Sequence, residues 1–434
     1  MLRRRTYPLP RQSEGAVVTS PLALLGGPPV ISEAAPHFSW PPLTEETSIA
    51  ILDQLDEGIS IYDRSGVIAR LEDALQHYFG ARYAILASSG TAALYSMHAA
   101  CGIGPGDEVI VPAYTFFATA TPLLHLGATP VLADCDTNGN LDPIDVPRRI
   151  TERTKAIVVT HMWGMPAQIR RLKTVADAFG LLLLEDASHA HGASIGEKKL
   201  GTFGQAAAFS MNGPKPLSAG EGGFILTDDE QVYHRVLLHG QYNRRCRNEI
   251  PAHSDLSRYA VTGMGLKHRI HPLAAALALE QLSHLDDYLA GRHRIAEHIH
   301  DELQREPGLT ITWHEPHTRP AWYGLTILYD SEFFDDVPVE RFHAALQAEG
   351  CHEFDRPGST CPLNLLPLFQ EPGPLFPAFT GKLAYAAGDY PRAEELHHTT
   401  LKLPVWHRDE DLPLVDRYIE ALYKVITHHA DLKG

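Results

Sequence analysis

Cysteine is scarce in this chain. Its 434 residues include five, Cys101, Cys135, Cys246, Cys351 and Cys361, an odd number with no C-x-x-C pair. That pattern excludes a disulfide framework and leads to the expectation of a reducing, cytoplasmic location. Long apolar runs are also missing. A run such as Leu181 to Leu184 falls far short of the ~20 residues that a membrane-spanning helix needs, so no membrane partner is expected. Basic residues are outnumbered, 37 Lys+Arg against 53 Asp+Glu, for a net charge of −16. Phosphate-backbone contacts need clustered Lys and Arg, so a nucleic-acid partner is excluded. The chain opens with Arg3, Arg4 and Arg5, like the charged region of a signal peptide, but no continuous apolar core follows. Residues 1–20 are therefore expected to form a loose tail that does not direct export.

What is present is an ordinary globular mix, 44% hydrophobic and 21% charged. At about 150 residues per domain, the length suggests two or three structural units. From residue 66 onward, apolar patterns alternate between periods. Helical spacing is predicted over 66–79, 91–101, 116–126 and 168–179, and strands over 83–87, 108–111, 129–133, 156–160 and 181–184. Strands alternating with helices of about a dozen residues predict βαβ crossovers and an α/β fold with a mostly parallel sheet covered by helices on both faces. Beyond residue 272 the texture changes. One long helix is predicted over 272–305, opened by Pro272 and interrupted at Gly291. A strand at 324–330, a helix near 338–349, a Pro-rich stretch at 357–378 and a closing helix at 412–428 follow. The expected organisation is a tail and arm over 1–45, a large domain over 46–285 and a smaller α+β domain over 286–434.

Four segments carry chemistry. Ser88-Ser89-Gly90-Thr91-Ala92-Ala93-Leu94 lies between a strand and a helix, where small residues let backbone amides approach an anion; a plain capped turn is the simpler alternative. Glu185-Asp186-Ala187-Ser188-His189-Ala190-His191-Gly192 follows a buried strand, at the sheet edge where open α/β folds bind ligands. A carboxylate there can keep a pyridine nitrogen protonated and a histidine at i+3 can bond a ring oxygen; Asp186 as a helix cap and His189-x-His191 as part of a metal site are the alternatives. Phe209-Ser210-Met211-Asn212-Gly213-Pro214-Lys215-Pro216 runs on into Gly220, Gly222 and Gly223. A lysine fixed between prolines becomes a nucleophile toward carbonyls when its pKa falls; otherwise it is a surface lysine in a turn. Gly263-Met264-Gly265-Leu266-Lys267-His268-Arg269 is a basic loop before the long helix. Together, an anion cradle, an acid with a histidine, a constrained lysine and a basic loop are what pyridoxal phosphate requires.

The order of these blocks resembles the DegT/StrS-like sugar aminotransferases, a branch of the fold-type-I pyridoxal phosphate enzymes. The resemblance runs from about Leu22 to the closing helix and is densest over 83–282. It implies that Lys215 bears the cofactor and that the Ser210 hydroxyl contacts its phosphate. Gly90, Thr91 and Ala92 would form the phosphate loop, Asp186 would pair with the pyridine nitrogen and His189 would touch the ring oxygen. Phe116 would stack on the ring. Lys267 stands where the family more often has an asparagine that reaches the phosphate from the neighbouring subunit, which implies a homodimer with shared sites. The implied reaction is a ping-pong transfer from glutamine or glutamate to a keto-sugar or keto-cyclitol, in aminosugar, aminocyclitol or antibiotic biosynthesis. In it, Lys215 would move a proton between the donor's α-carbon and the cofactor. The segments LALLGGPPVI and Cys361-Pro-Leu-Asn-Leu-Leu-Pro-Leu-Phe look like the subgroup acting on cyclitols such as scyllo-inosose. Two alternatives on this scaffold are a pyridoxamine-dependent dehydratase, whose relatives place histidine at the position of Lys215, and a non-catalytic binding protein, which would be expected to have lost Lys215 or Asp186.

Overall fold

The computed structural model describes residues 20–433, so the tail expected over 1–20 lies outside the described residues except for Ser20. Seven strands form the central sheet among these residues: β1 (Tyr83–Ala87), β2 (Glu108–Pro112), β3 (Thr129–Ala133), β4 (Thr154–Thr160), β5 (Leu182–Asp186), β6 (Ala206–Ser210) and β7 (Gly223–Thr227), in the order β1-β7-β6-β5-β4-β2-β3. Neighbours from β6 to β3 run parallel, whereas β7 is antiparallel to both β1 and β6. The carboxyl ends of β1, β4, β5 and β6 therefore share one edge. This places Ser88, Thr160, Asp186 and Ser210 along a single rim, where an open α/β sheet takes its ligand.

The strands are nearly all apolar because helices cover both faces. Helix Gly66–Phe79 buries Val67, Ile68, Leu71, Leu75 and Phe79, spaced to lie on one side, and stops at Gly80 in the left-handed conformation (φ 70°). Two expected helices differ. Over 116–126 the chain makes a strand Tyr114–Phe116, a short turn Phe117–Thr119 and then the helix Thr121–Leu126 with Pro122 in its first turn. Proline has no amide to give to a preceding turn, so the helix can only begin there. Over 272–305 there are two helices, Pro272–Ser283 and Leu285–Leu303, and the break falls at His284. The Ser283 hydroxyl donates to the Glu280 carbonyl at 2.6 Å, a local bond that competes with helical pairing. Gly291 does not interrupt the second helix. It lets the helix press on the backbone of His407, whose oxygen would stand 1.9 Å from an added Cβ.

Strands Leu309–Ile311, Leu325–Tyr329 and Thr400–Leu403 make a second, antiparallel sheet, against which the helices Val339–Ala348 and Leu412–Thr427 bury a core. Leu22 and Ile31 enter this core from the opening segment. The buried Glu349 carboxylate pins that segment by accepting from the Ala23 amide at 2.8 Å, the Val30 amide at 3.1 Å and Lys424 Nζ at 2.9 Å. The strand Thr360–Pro362 pairs with Tyr114–Phe116 and so returns the Pro-rich stretch to the rim of the central sheet. Among the described residues no helix is long and apolar enough to cross a membrane, and all five cysteines are free.

Candidate active site

A cavity of about 430 Å³ opens at that rim. Its wall includes Gly90, Thr91, Phe116, Asp186, His189, Ser210 and Lys215, so most of the residues singled out in the sequence meet at one place. Ala92 and Lys267 are not among its lining residues. The Ala92 amide is committed to Ser89 Oγ at 3.1 Å, the N-cap of helix Gly90–Ala100. Lys267 is exposed; its loop is held beside the cradle instead by the His268 carbonyl, which accepts from the Ser88 amide at 2.7 Å.

The cradle is built by close approach. A Cβ on Gly90 would stand 2.4 Å from the Cβ of Ser210, and one on Gly223 would stand 2.5 Å from the Ser89 carbonyl oxygen. Only glycine lets β1, β7 and the end of β6 meet there. The amides of Gly90 and Thr91, at the start of the helix, have no intrahelical partner and lie beside Ser210, an arrangement suited to a phosphate.

The two acids of Glu185-Asp186 part company, as successive residues of a strand must. Glu185 is fully buried and accepts from the amides of Gly201, Phe203 and Gly204 at 2.7–2.8 Å, with His161 Nε2 at 3.2 Å. It orders the loop before β6. Asp186, 7% exposed, faces the cavity, and its carboxylate accepts from Thr119 Oγ1 at 2.8 Å and from the Ser188 amide at 3.2 Å. Thr119 is held in turn by Thr115 at 2.9 Å. The two histidines diverge likewise. His191 is buried against Phe209 and Phe224, whereas His189 stacks on Tyr323 with centroids 4.3 Å apart. Burial, reinforced by the positive charge of Lys215, holds His189 well below the usual imidazole range, so the ring is neutral. It has no hydrogen-bond partner among the described residues and lines the cavity.

Lys215 sits in a turn whose amide donates to the Asn212 carbonyl at 2.9 Å. Its Nζ lies 4.4 Å from the centre of the Tyr323 ring. Burial pushes its pKa from 10.5 down to about 8, against the opposing pull of Asp186 and with help from Lys402. Above pH 8 the amine is neutral and nucleophilic. In cofactor-free protein, mass-spectrometric mapping of acylation at Lys215 should show a midpoint near pH 8. A midpoint near 10.5 would contradict the burial argument. Between about 8 and 10.5 the unfolded chain holds a proton at this group that the folded chain lacks, so its contribution to stability rises with pH through that window.

Sequence reasoning missed Thr119, Trp163, Tyr323 and Thr360. Trp163 stacks on both His189 and Tyr323, at 5.8 and 6.1 Å, from a left-handed backbone (φ 56°) that no local signal announces. Thr360 joins the wall only through the pairing of its strand with Tyr114–Phe116.

An amine of lowered pKa, a fixed carboxylate, an unpartnered neutral imidazole and an anion cradle around one cavity fit pyridoxal phosphate group by group. Residues 44–414 match the model of the DegT/DnrJ/EryC1/StrS aminotransferase family. The chain is 32% identical over 395 residues to the spore coat polysaccharide biosynthesis protein SpsC of Bacillus subtilis (strain 168), covering 90% of this chain and 96% of that one. It is 36% identical over 357 residues to the L-glutamine:scyllo-inosose aminotransferase of Streptomyces griseus, covering 80% and 83%. The crystal structure of S. venezuelae DesV matches with a TM-score of 0.72 at 29% identity, over 87% of this chain and 94% of that one.

Proposed function

The chain belongs to the DegT/DnrJ/EryC1/StrS aminotransferase family and is a pyridoxal phosphate enzyme, and on that premise we propose that it moves an amino group from glutamine or glutamate to a keto-cyclitol of the scyllo-inosose kind. The observation that carries the amino-transfer reading is the meeting of Lys215 and Asp186 on one cavity beside the Gly90–Ser210 cradle. The name of the S. griseus relative supports the choice of donor and acceptor.

When bound, pyridoxal phosphate supplies an electron sink for the bond broken at the donor's α-carbon. The chain's own residues do the rest. The amides of Gly90 and Thr91 and the Ser210 hydroxyl would hold the phosphate. Asp186, its oxygens oriented by Thr119 and Ser188, would hold a proton on the ring nitrogen. His189 and Phe116, both on the cavity wall, would bond the ring oxygen and pack on the ring. Lys215 would hold the cofactor, and its amine, neutral above pH 8, is suited to taking up the proton from the donor's α-carbon. Tyr323 and Thr360 line the cavity, and Trp163 backs Tyr323 and His189. Lys267, exposed and absent from its own cavity, is assigned to the cavity of a second copy in a homodimer. The free cysteines suit a reducing cytoplasm.

The test follows the visible band of the purified protein with each donor, then with a panel of acceptors, while light scattering reports the assembly. We expect glutamine or glutamate to bleach the band, scyllo-inosose to restore it, and the active species to be a dimer. No bleaching by either donor, restoration by nucleotide-linked keto-sugars alone, or an active monomer would each refute the corresponding part.

A further inference from the structure

Arg292 lies in the middle of helix Leu285–Leu303 with only 2% of its surface exposed, and it faces no carboxylate among the described residues. An unpaired charge is costly to bury, and an apolar side chain of the same volume would fill the space more favourably if packing were all that mattered. What a guanidinium adds is a flat face and a fork of N–H donors. Both are used. Its plane lies 4.0 Å from the centre of the Trp40 ring, and Nη1 donates to the carbonyls of Trp322 at 3.2 Å and Ala321 at 3.5 Å. The Trp40 indole N–H in turn donates to the backbone carbonyl of Lys215 at 2.8 Å.

We propose that Trp40 and Arg292 form a brace that positions Lys215 and Tyr323 across the cavity. Pro214 and Pro216 fix the backbone on either side of Lys215, and the Lys215 carbonyl takes its bond from outside the turn, from the Trp40 indole N–H. Trp322 is held at φ 50°, opposite Trp163 at φ 56°, and the two turns are sewn together by the Ala321 amide on the Gly164 carbonyl (2.9 Å) and the Gly324 amide on the Trp163 carbonyl (3.2 Å). Left-handed non-glycine residues persist only where their surroundings over-determine them. Arg292 grips the carbonyl of one of these strained residues, and the next side chain is Tyr323, the platform beneath Lys215 Nζ. One guanidinium thus connects the opening segment of the chain, the lysine turn and the aromatic wall. Both are positioning residues, since neither lines the cavity.

The brace rests on Lys215 as the cofactor-bearing lysine, and the test separates the two claims. In cofactor-free Trp40→Phe, amide exchange over residues 212–219 should quicken about fivefold, the loss expected for one hydrogen bond, with exchange elsewhere unchanged. In loaded Trp40→Phe and Arg292→Met, kcat should fall by about 10- to 100-fold with the donor KM within about twofold, as for a misplaced catalytic group, and Arg292→Lys should fall between Arg292→Met and the parent. Unchanged exchange over 212–219, or kcat, KM and Tm declining together, overturns the brace. Faster local exchange alongside a cofactor mapped to another lysine overturns the role of Lys215 and leaves the brace standing.

Discussion

Replacing Lys215 with alanine is expected to remove the protein's visible absorbance and to slow the donor half-reaction by at least about 10³-fold, the scale of a lost general acid–base group plus its covalent attachment. No other lysine lines the cavity. Lys402, the next ammonium to influence the site, pairs with Asp355 at 3.2 Å and rests 5.3 Å from the Trp163 ring, on the outer side of the aromatic wall. It tunes Lys215 electrostatically but is not placed to substitute for it. Because Lys215 is half-buried against an open cavity and not packed in the core, truncation leaves the fold intact. Absorbance spectra and single-turnover rates with glutamine provide the check, and a variant that stays yellow and active would defeat the assignment.

Asp186→Asn is the second large effect. Asparagine keeps the size of the side chain and can still accept from Thr119, so Tm should move little. What disappears is the negative charge that holds a proton on the pyridine nitrogen. Charge-assisted pairing in a partly desolvated cavity makes its removal worth about 10²- to 10³-fold in the half-reaction rate, with cofactor still bound. Thr119→Val removes only one bond that orients the carboxylate, so a smaller loss of about tenfold is expected. Stopped-flow bleaching of the visible band measures both. Equal rates for Asp186→Asn and the parent would mean that the carboxylate serves only the fold, as Glu185 does.

Much of this site was legible because its main residues lie in contiguous blocks at strand ends. Ser88–Leu94 and Glu185–Gly192 each follow an apolar run read as a strand. Phe209–Gly223 stood out by its lysine between prolines and its glycines, although the strands Ala206–Ser210 and Gly223–Thr227 were not anticipated. The sheet topology carries all three to one rim. Strand alternation even separates Glu185 from Asp186 in principle, since neighbours on a strand face opposite sides. The aromatic wall was not legible. Tyr323 and Trp163 are single residues about 160 positions apart, brought together by backbone bonds between two left-handed turns, and no periodicity encodes a left-handed tryptophan. Arg292 reads in the sequence as one more charge on a helix of mixed polarity. Its burial, its bonds to the Trp322 and Ala321 carbonyls and the seating of Trp40 on its face show that it points inward. Gly291 looked like an interruption because glycine weakens isolated helices, yet its lack of a side chain is what admits the His407 backbone. Lys267 was legible as part of a basic loop, but its separation from its own cavity is a property of the folded chain.

The central claim is that one amine, on the turn between Pro214 and Pro216, carries pyridoxal phosphate. Borohydride reduction of the purified enzyme, followed by peptide mapping, tests it most directly. A single pyridoxyl-labelled peptide with the label on Lys215 is expected, and label on any other lysine, or on none, would overturn the assignment.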